Sequence, residues 1–137
     1  MSLFNVFNVA GTAMSAQSVR LNTTASNLAN ADSVSSSADQ TYKARHPVFN
    51  AVLDDAMSDS SSVPVSVAGI IESQKPLDME YSPDHPLANK DGYIFKPNVN
   101  VMEEMADMIS ASRSYQTNVQ VADAAKQMAM QTLNLGK

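Results

Sequence analysis

The chain contains no cysteine, which removes disulfides, thiol catalysis and thiolate metal sites and leaves the redox compartment open. Basic residues are few and scattered. Nine Lys and Arg stand against fourteen Asp and Glu, for a formal net charge of −5. No cationic patch exists to neutralise phosphates, which argues against non-specific nucleic-acid binding. No run of about 20 apolar residues is present that could cross a bilayer as a helix. The opening Met1-Ser2-Leu3-Phe4-Asn5-Val6-Phe7-Asn8 has neither a basic leader nor a long apolar stretch ending in a processing site, so no cleaved signal peptide is expected. A route out of the cytoplasm, if one is taken, is expected to read something other than a classical leader.

Catalytic patterns are equally scarce. There is no HExxH, no G-x-S-x-G elbow, no S-x-x-K and no Gly-rich nucleotide loop. His46 and His85 each precede a proline, and Asp84 and Asp91 lie near His85, but without a second nearby histidine they read as loop residues rather than metal ligands. Tyr93 and Phe95 lack the basic company that base stacking needs. Asp54 and Asp55 fall in a loop-like stretch, while Glu103 and Glu104 point about 100° apart on a helix. Neither pair is a carboxylate couple held at a defined separation. No enzyme activity, no cofactor and no metal is expected.

What is present is amphipathic helix at both ends. The 137 residues, 44% of them apolar, suit one domain or an extended subunit whose core is completed by neighbours. In residues 3–28 the positions Leu3, Phe7, Ala10, Met14, Gln17, Leu21, Thr24 and Leu28 alternate at spacings of four and three. Such spacing lays one side of a helix along a partner. Gly11, beside Ala10 and Ala13, costs roughly 1 kcal/mol of helix propensity and is expected to allow close helix approach. The helix is expected to end near Asn30, whose side chain suits a left-handed C-terminal position, and to give way to an exposed Ser-rich loop.

All six prolines fall in residues 42–99, where short strands are expected at Pro47–Leu53, over Val63, Val65 and Val67, and at Gly92–Lys96. Asp54–Ser62 reads as a flexible acidic loop between the first two. From Asn98 or Asn100 the helical signal returns and runs to Leu135, with Asn100 as N-cap, Glu103 completing a capping box, and Glu104 and Asp107 placing negative charge near the positive helix end. One stripe is Val101, Met105, Met108, Ser112, Tyr115, Val119 and Ala122, widened by Met102 and Ile109. Val121, Ala125, Met128, Thr132 and Leu135 continue on a shifted face. Met102, Met105, Met108, Met128 and Met130 read equally well as an adaptable contact surface or as a Met-rich core. Arg20, Arg113 and Asn30 suit either bonds to a neighbour or an ordinary surface.

The fold class expected is mainly α: long antiparallel N- and C-terminal helices forming a coiled-coil-like core, with a small irregular β-containing middle. The parts are residues 1–32, 33–97 and 98–137. Two helices leave apolar flanks uncovered, so other subunits are expected to cover them. The expected subunit-interface residues are Leu3, Phe7, Ala10, Met14, Leu21, Leu28, Asn30, Val101, Met105, Met108, Ile109, Arg113, Tyr115, Val119, Met128 and Leu135.

Leu21-Asn22-Thr23-Thr24-Ala25-Ser26-Asn27-Leu28-Ala29-Asn30-Ala31-Asp32-Ser33 resembles the N-terminal signature of bacterial flagellar rod and hook proteins. Ser110-Ala111-Ser112-Arg113-Ser114-Tyr115-Gln116-Thr117-Asn118 resembles their C-terminal signature. Tyr81–Ala88, Gly92-Tyr93 and Pro97-Asn98-Val99-Asn100 are similar to the proximal-rod branch of that family. One departure is Ser33–Gln40, which carries neither Pro nor Gly where many relatives have a Thr-Pro-Gly-Tyr type turn. The resemblance implies an axial subunit of the periplasmic proximal rod, exported by the flagellar type III apparatus without leader cleavage. It implies terminal helices around the export channel, a middle section packed outside them, and torque passed to the hook. The partners it implies are copies of the chain, the rod proteins FlgB, FlgF and FlgG, the adaptor FliE and the export apparatus. Readings of other classes are a transient binding module or export adaptor, and a small hydrolase built on His85.

Overall fold

The computed structural model describes residues 3–52 and 63–135. Helix α1 spans Leu3–Asn30, strands β1 to β4 span Arg45–Ala51, Val65–Glu72, Asp78–Tyr81 and Tyr93–Lys96, and helix α2 spans Val101–Leu135. The expected acidic loop at Asp54–Ser62 lies outside the described residues, as does Leu53 of the expected first strand.

The two helices pack antiparallel, and the element order places a small β section between them. α2 starts where its cap predicts. Asn100 Oδ1 accepts from the backbone N–H groups of Met102 (3.1 Å) and Glu103 (3.4 Å), and the Asn100 carbonyl accepts from Glu104 N–H at 3.0 Å, satisfying donors that a helix start leaves open. The Glu103 carboxylate approaches Lys75 at 3.8 Å, and among the described residues it makes no return bond to Asn100. α1 ends at Asn30 as expected, but by another mechanism. No described non-glycine residue has positive φ; Asn30 Nδ2 instead donates to the Ser26 carbonyl at 2.8 Å, and Ser33 N–H and Oγ donate to the Asn30 carbonyl.

Gly11 also departs from expectation. It is exposed, with nothing within 4 Å of where a Cβ would stand; the close approach of the helices runs through Ala10, 3% exposed, on the neighbouring face.

β1 and β2 form an antiparallel pair from Arg45↔Glu72 to Ala51↔Val65, with a register shift between Val48 and Phe49. β2 is longer than its Val alternation suggested, because Gly69 to Glu72 stay paired past the shift, with Ala68 left over at the bulge. β3, not anticipated, pairs antiparallel with β4. Gly92, at φ 78°, makes the turn into β4: a Cβ there would lie 2.9 Å from Tyr81 Cε2, and φ in this range favours glycine. Lys96 Nζ donates to Glu80 Oε2 at 2.5 Å. The hydrogen bond and charge of Lys96 hold the Glu80 carboxyl below its ordinary value, and Glu80 raises Lys96 in turn. This exposed clasp is intact at neutral pH and is lost as acid protonates Glu80. The Ser33–Gln40 loop is pinned to β4 by paired backbone bonds between Ser35 and Phe95, 3.0 and 2.9 Å, and is braced internally by Thr41 Oγ1 donating to the Ser37 carbonyl at 2.7 Å.

Since nothing crowds Gly11, Gly11→Ala should stabilise the isolated subunit by about 1 kcal/mol through helix propensity. Urea unfolding followed by circular dichroism checks this; an unchanged or lowered midpoint would contradict the open surroundings at that position.

Candidate subunit interface

The seam between α1 and α2 is made of small and polar side chains. Ala10, Thr24 and Asn27 are buried on α1, and Glu104, Ala111 and Ala125 on α2. Short side chains let two helix backbones approach closely, at the cost of little apolar area per contact.

Two polar contacts fix the register. Arg20, the only charged residue in α1, donates from Nη2 to Asp107 Oδ1 at 2.5 Å. Seven residues further along α1 and three residues back along α2, Asn27 Nδ2 donates to Glu104 Oε1 at 3.0 Å, and both side chains are buried. A longitudinal slip or a reversed pairing would leave the Glu104 carboxylate and the Asn27 amide unpartnered inside the seam, which costs more than the contact itself contributes.

The structure sets the expected interface residues beside this seam more than within it. The expected stripes and the buried seam share Ala10, Thr24 and Ala125, but in the first half of α2 the buried positions are Glu104 and Ala111 while Met105 and Ile109 are exposed. Phe7, Met14, Leu21 and Leu28 are half-buried and recur every seven residues, as do Val101, Met108 and Tyr115. The register set by Arg20–Asp107 and Asn27–Glu104 places Leu28 opposite Val101, Leu21 opposite Met108 and Met14 opposite Tyr115. At 100° per residue this row lies on the flank of the helix pair away from β1 and β2. Met105 and Ile109 extend it outward and are 46% and 56% exposed, with Met102 beyond them at 76%. Val119 is half-buried, Arg113 is exposed, and Met128 is 51% exposed near the end of α2. The side chains of Leu3 and Leu135 lie outside the described residues.

Two polar candidates resolve differently from Arg113. Arg20 is engaged within the chain by Asp107, and Asn30 donates one bond to its own helix at Ser26. Residues that sequence reasoning missed are Asn27, Glu104 and Asp107, whose polarity hid their burial. Asn27 stood within the quoted N-terminal signature, and that placement was the available signal. His85 Nδ1 accepts from Leu87 N–H at 3.1 Å, which makes it a turn residue.

Comparisons with known proteins match the sequence segments that carry both helices. Residues 7–35 match the family model described as flagella basal body rod protein, and residues 90–135 match that described as flagellar basal body rod FlgEFG protein C-terminal. Across its whole length the chain is 48% identical to the flagellar basal-body rod protein FlgC of Salmonella typhimurium, covering 100% of both chains. The same identity and coverage hold for FlgC of Escherichia coli O6:H1. For FlgC of Bacillus subtilis, identity is 34%, again over 100% of both. The chain belongs to the FlgC family of flagellar basal-body rod proteins. Members of the FlgC family are structural rod subunits, not enzymes. The two FlgC-chain segments matched by family models contain most of α1 and all of α2, the elements that carry the apolar flank.

The charge-reversed single variants Arg20→Asp and Asp107→Arg should each loosen the helix pair, and the combined variant should recover about 1 kcal/mol of coupling, a magnitude suited to a part-exposed pair. A double-mutant cycle by urea unfolding measures this; zero coupling would remove the ion pair as a register device.

Proposed function

We propose that this FlgC-family subunit builds the periplasmic proximal rod by burying the half-covered flank of its helix pair against neighbouring subunits. It is a structural, axially polymerising component of the flagellar basal body and helps carry torque from motor to hook. The observation that supports this reading is the row Phe7, Met14, Leu21, Leu28, Val101 and Met108 with Met105 and Ile109 beside it. Each large apolar side chain taken fully out of water contributes roughly 1.5–3 kcal/mol, so covering this row outweighs the polar contacts of the seam.

Residues 1–32 and 98–137 form the inner core around the channel, and residues 33–97 pack outside it. The neighbours are copies of the chain and other rod proteins, namely FlgB, FlgF and FlgG, together with the adaptor FliE; the flagellar export apparatus handles the subunit on its way out. Contacts that do not close on themselves continue along an axis, which is what a rod requires. α2 has 35 residues to the 28 of α1, and its end carries exposed Met128, Met130 and Leu133, a further surface for an axial neighbour.

Electron cryomicroscopy of purified basal bodies tests the reading: copies of the helix pair should be found with this flank covered, and absence of the subunit from the axis would overturn it. Leu28→Asp or Met108→Asp should abolish incorporation and motility while synthesis continues, because each places an unpaired charge in a covered surface. Immunoblots and basal-body images check this, and normal incorporation of either variant would contradict the proposed faces.

A further inference from the structure

The peptide junction between Ala44 and Arg45, where the Ser-rich loop becomes β1, is held by two asparagine side chains from opposite ends of the chain. Asn27, fully buried in α1, accepts at Oδ1 from Arg45 N–H (2.9 Å) and donates from Nδ2 to the Arg45 carbonyl (2.8 Å). Its Oδ1 also accepts from Tyr42 OH at 2.8 Å, so with the bond to Glu104 both donors and both acceptor sites of the amide are used. Asn98, two residues before the cap of α2, accepts at Oδ1 from Ala44 N–H at 2.8 Å. Its Nδ2 donates to the Lys75 carbonyl at 2.7 Å, with a longer contact to the Ser73 carbonyl. Ser73 N–H in turn donates to the Ala44 carbonyl at 2.7 Å. Ala44 itself is buried.

Packing alone does not set how the β1–β2 pair lies on the helices. Between α1 and β2 run two open grooves of about 330 and 350 Å³, lined on the helix side by short side chains such as Ser15, Ala16, Val19 and Ser26. Interlocking side chains would fix an angle; a gapped contact of this kind tolerates several. The short directional bonds at Ala44 and Arg45, with one longer contact from Val65 N–H to Thr12 Oγ1 (3.4 Å) at the other end of β2, act on this angle.

We infer that Asn27 and Asn98 are positioning residues that clamp the root of the β1–β2 pair between α1 and the start of α2, and so fix the angle of the middle section to the helix pair. Because Asn27 also bonds Glu104, docking of α2 on α1 and anchoring of β1 share one amide. A subunit whose helices are not paired therefore lacks part of the clamp. This deepens the rod-subunit reading, since neighbours packed on the helices would then meet a middle section at a defined angle.

The absence of native cysteine permits a direct test in the full-length isolated subunit by spin-label distance measurements. One labelled pair, Ser66→Cys with Gln116→Cys, reports the β section against α2; another, Ser18→Cys with Gln127→Cys, reports helix against helix. Asn98→Leu should broaden or shift the first distribution and leave the second as it was. Asn27→Leu should change the first at least as much, and the double variant more than either. If Asn27→Leu does not fold, Asn98→Leu alone decides, as it touches no residue of the helix seam. A first distribution unchanged in Asn98→Leu would overturn the inference, as would equal broadening of both, which would mark general destabilisation. The measurement needs no assembled rod, so its outcome is separate from whether the helix flank meets neighbours.

Discussion

The approach of α1 to α2 through small and polar side chains is the constraint from which the other surfaces follow. Two helices that meet on Ala10, Thr24, Ala111 and Ala125 come close, and the larger residues three or four positions away along α1 lie at the rim of the contact. There Phe7, Met14, Leu21 and Leu28 are half-covered by the partner helix and half in water. A seam of large side chains would have hidden the apolar area inside one molecule and left little for a polymer. The polar pairs within the seam contribute register more than strength, since a part-exposed ion pair yields about 1 kcal/mol while a misplaced buried carboxylate costs several times that.

The same economy explains the middle section. Each β pair has only two main strands, too few to stand alone in water. They persist by being tied down: β4 through the Ser35 bridge, β1 through Asn27 and Asn98, and β2 through Val65 N–H reaching Thr12 Oγ1 at 3.4 Å. The loop whose sequence departs from many relatives thus acts as a strap across β4, with Ser and Thr hydroxyls supplying the turn bonds that Pro and Gly would otherwise make unnecessary.

Much of this was legible in the sequence. Helical periodicity located both helices, and the Asn100 cap marked where α2 begins, because those signals are local. The stripes were legible in part: Ala10, Thr24 and Ala125 within them are buried, whereas Met105 and Ile109 outrank Glu104 and Ala111 as core candidates on hydrophobicity, yet close approach selects for size. Burial of Asn27 and Glu104 was hidden because each is affordable only with the other present, and such pairing across the whole chain leaves no local trace. β3 escaped because Asp78 and Glu80 on a short exposed strand resemble loop chemistry, and Asn30 took a bond to Ser26 in place of the left-handed turn its residue type permits. The family resemblance supplied what periodicity could not, the identity of the assembly in which the chain works.

Methionine oxidation read residue by residue in free subunits and in purified rods tests the central claim most directly, since thioether reactivity follows solvent access. The account predicts that Met14, Met105 and Met108 are oxidised in the free subunit and protected in the rod. Equal oxidation of these three in both states would show that the flank stays open after assembly and would contradict it.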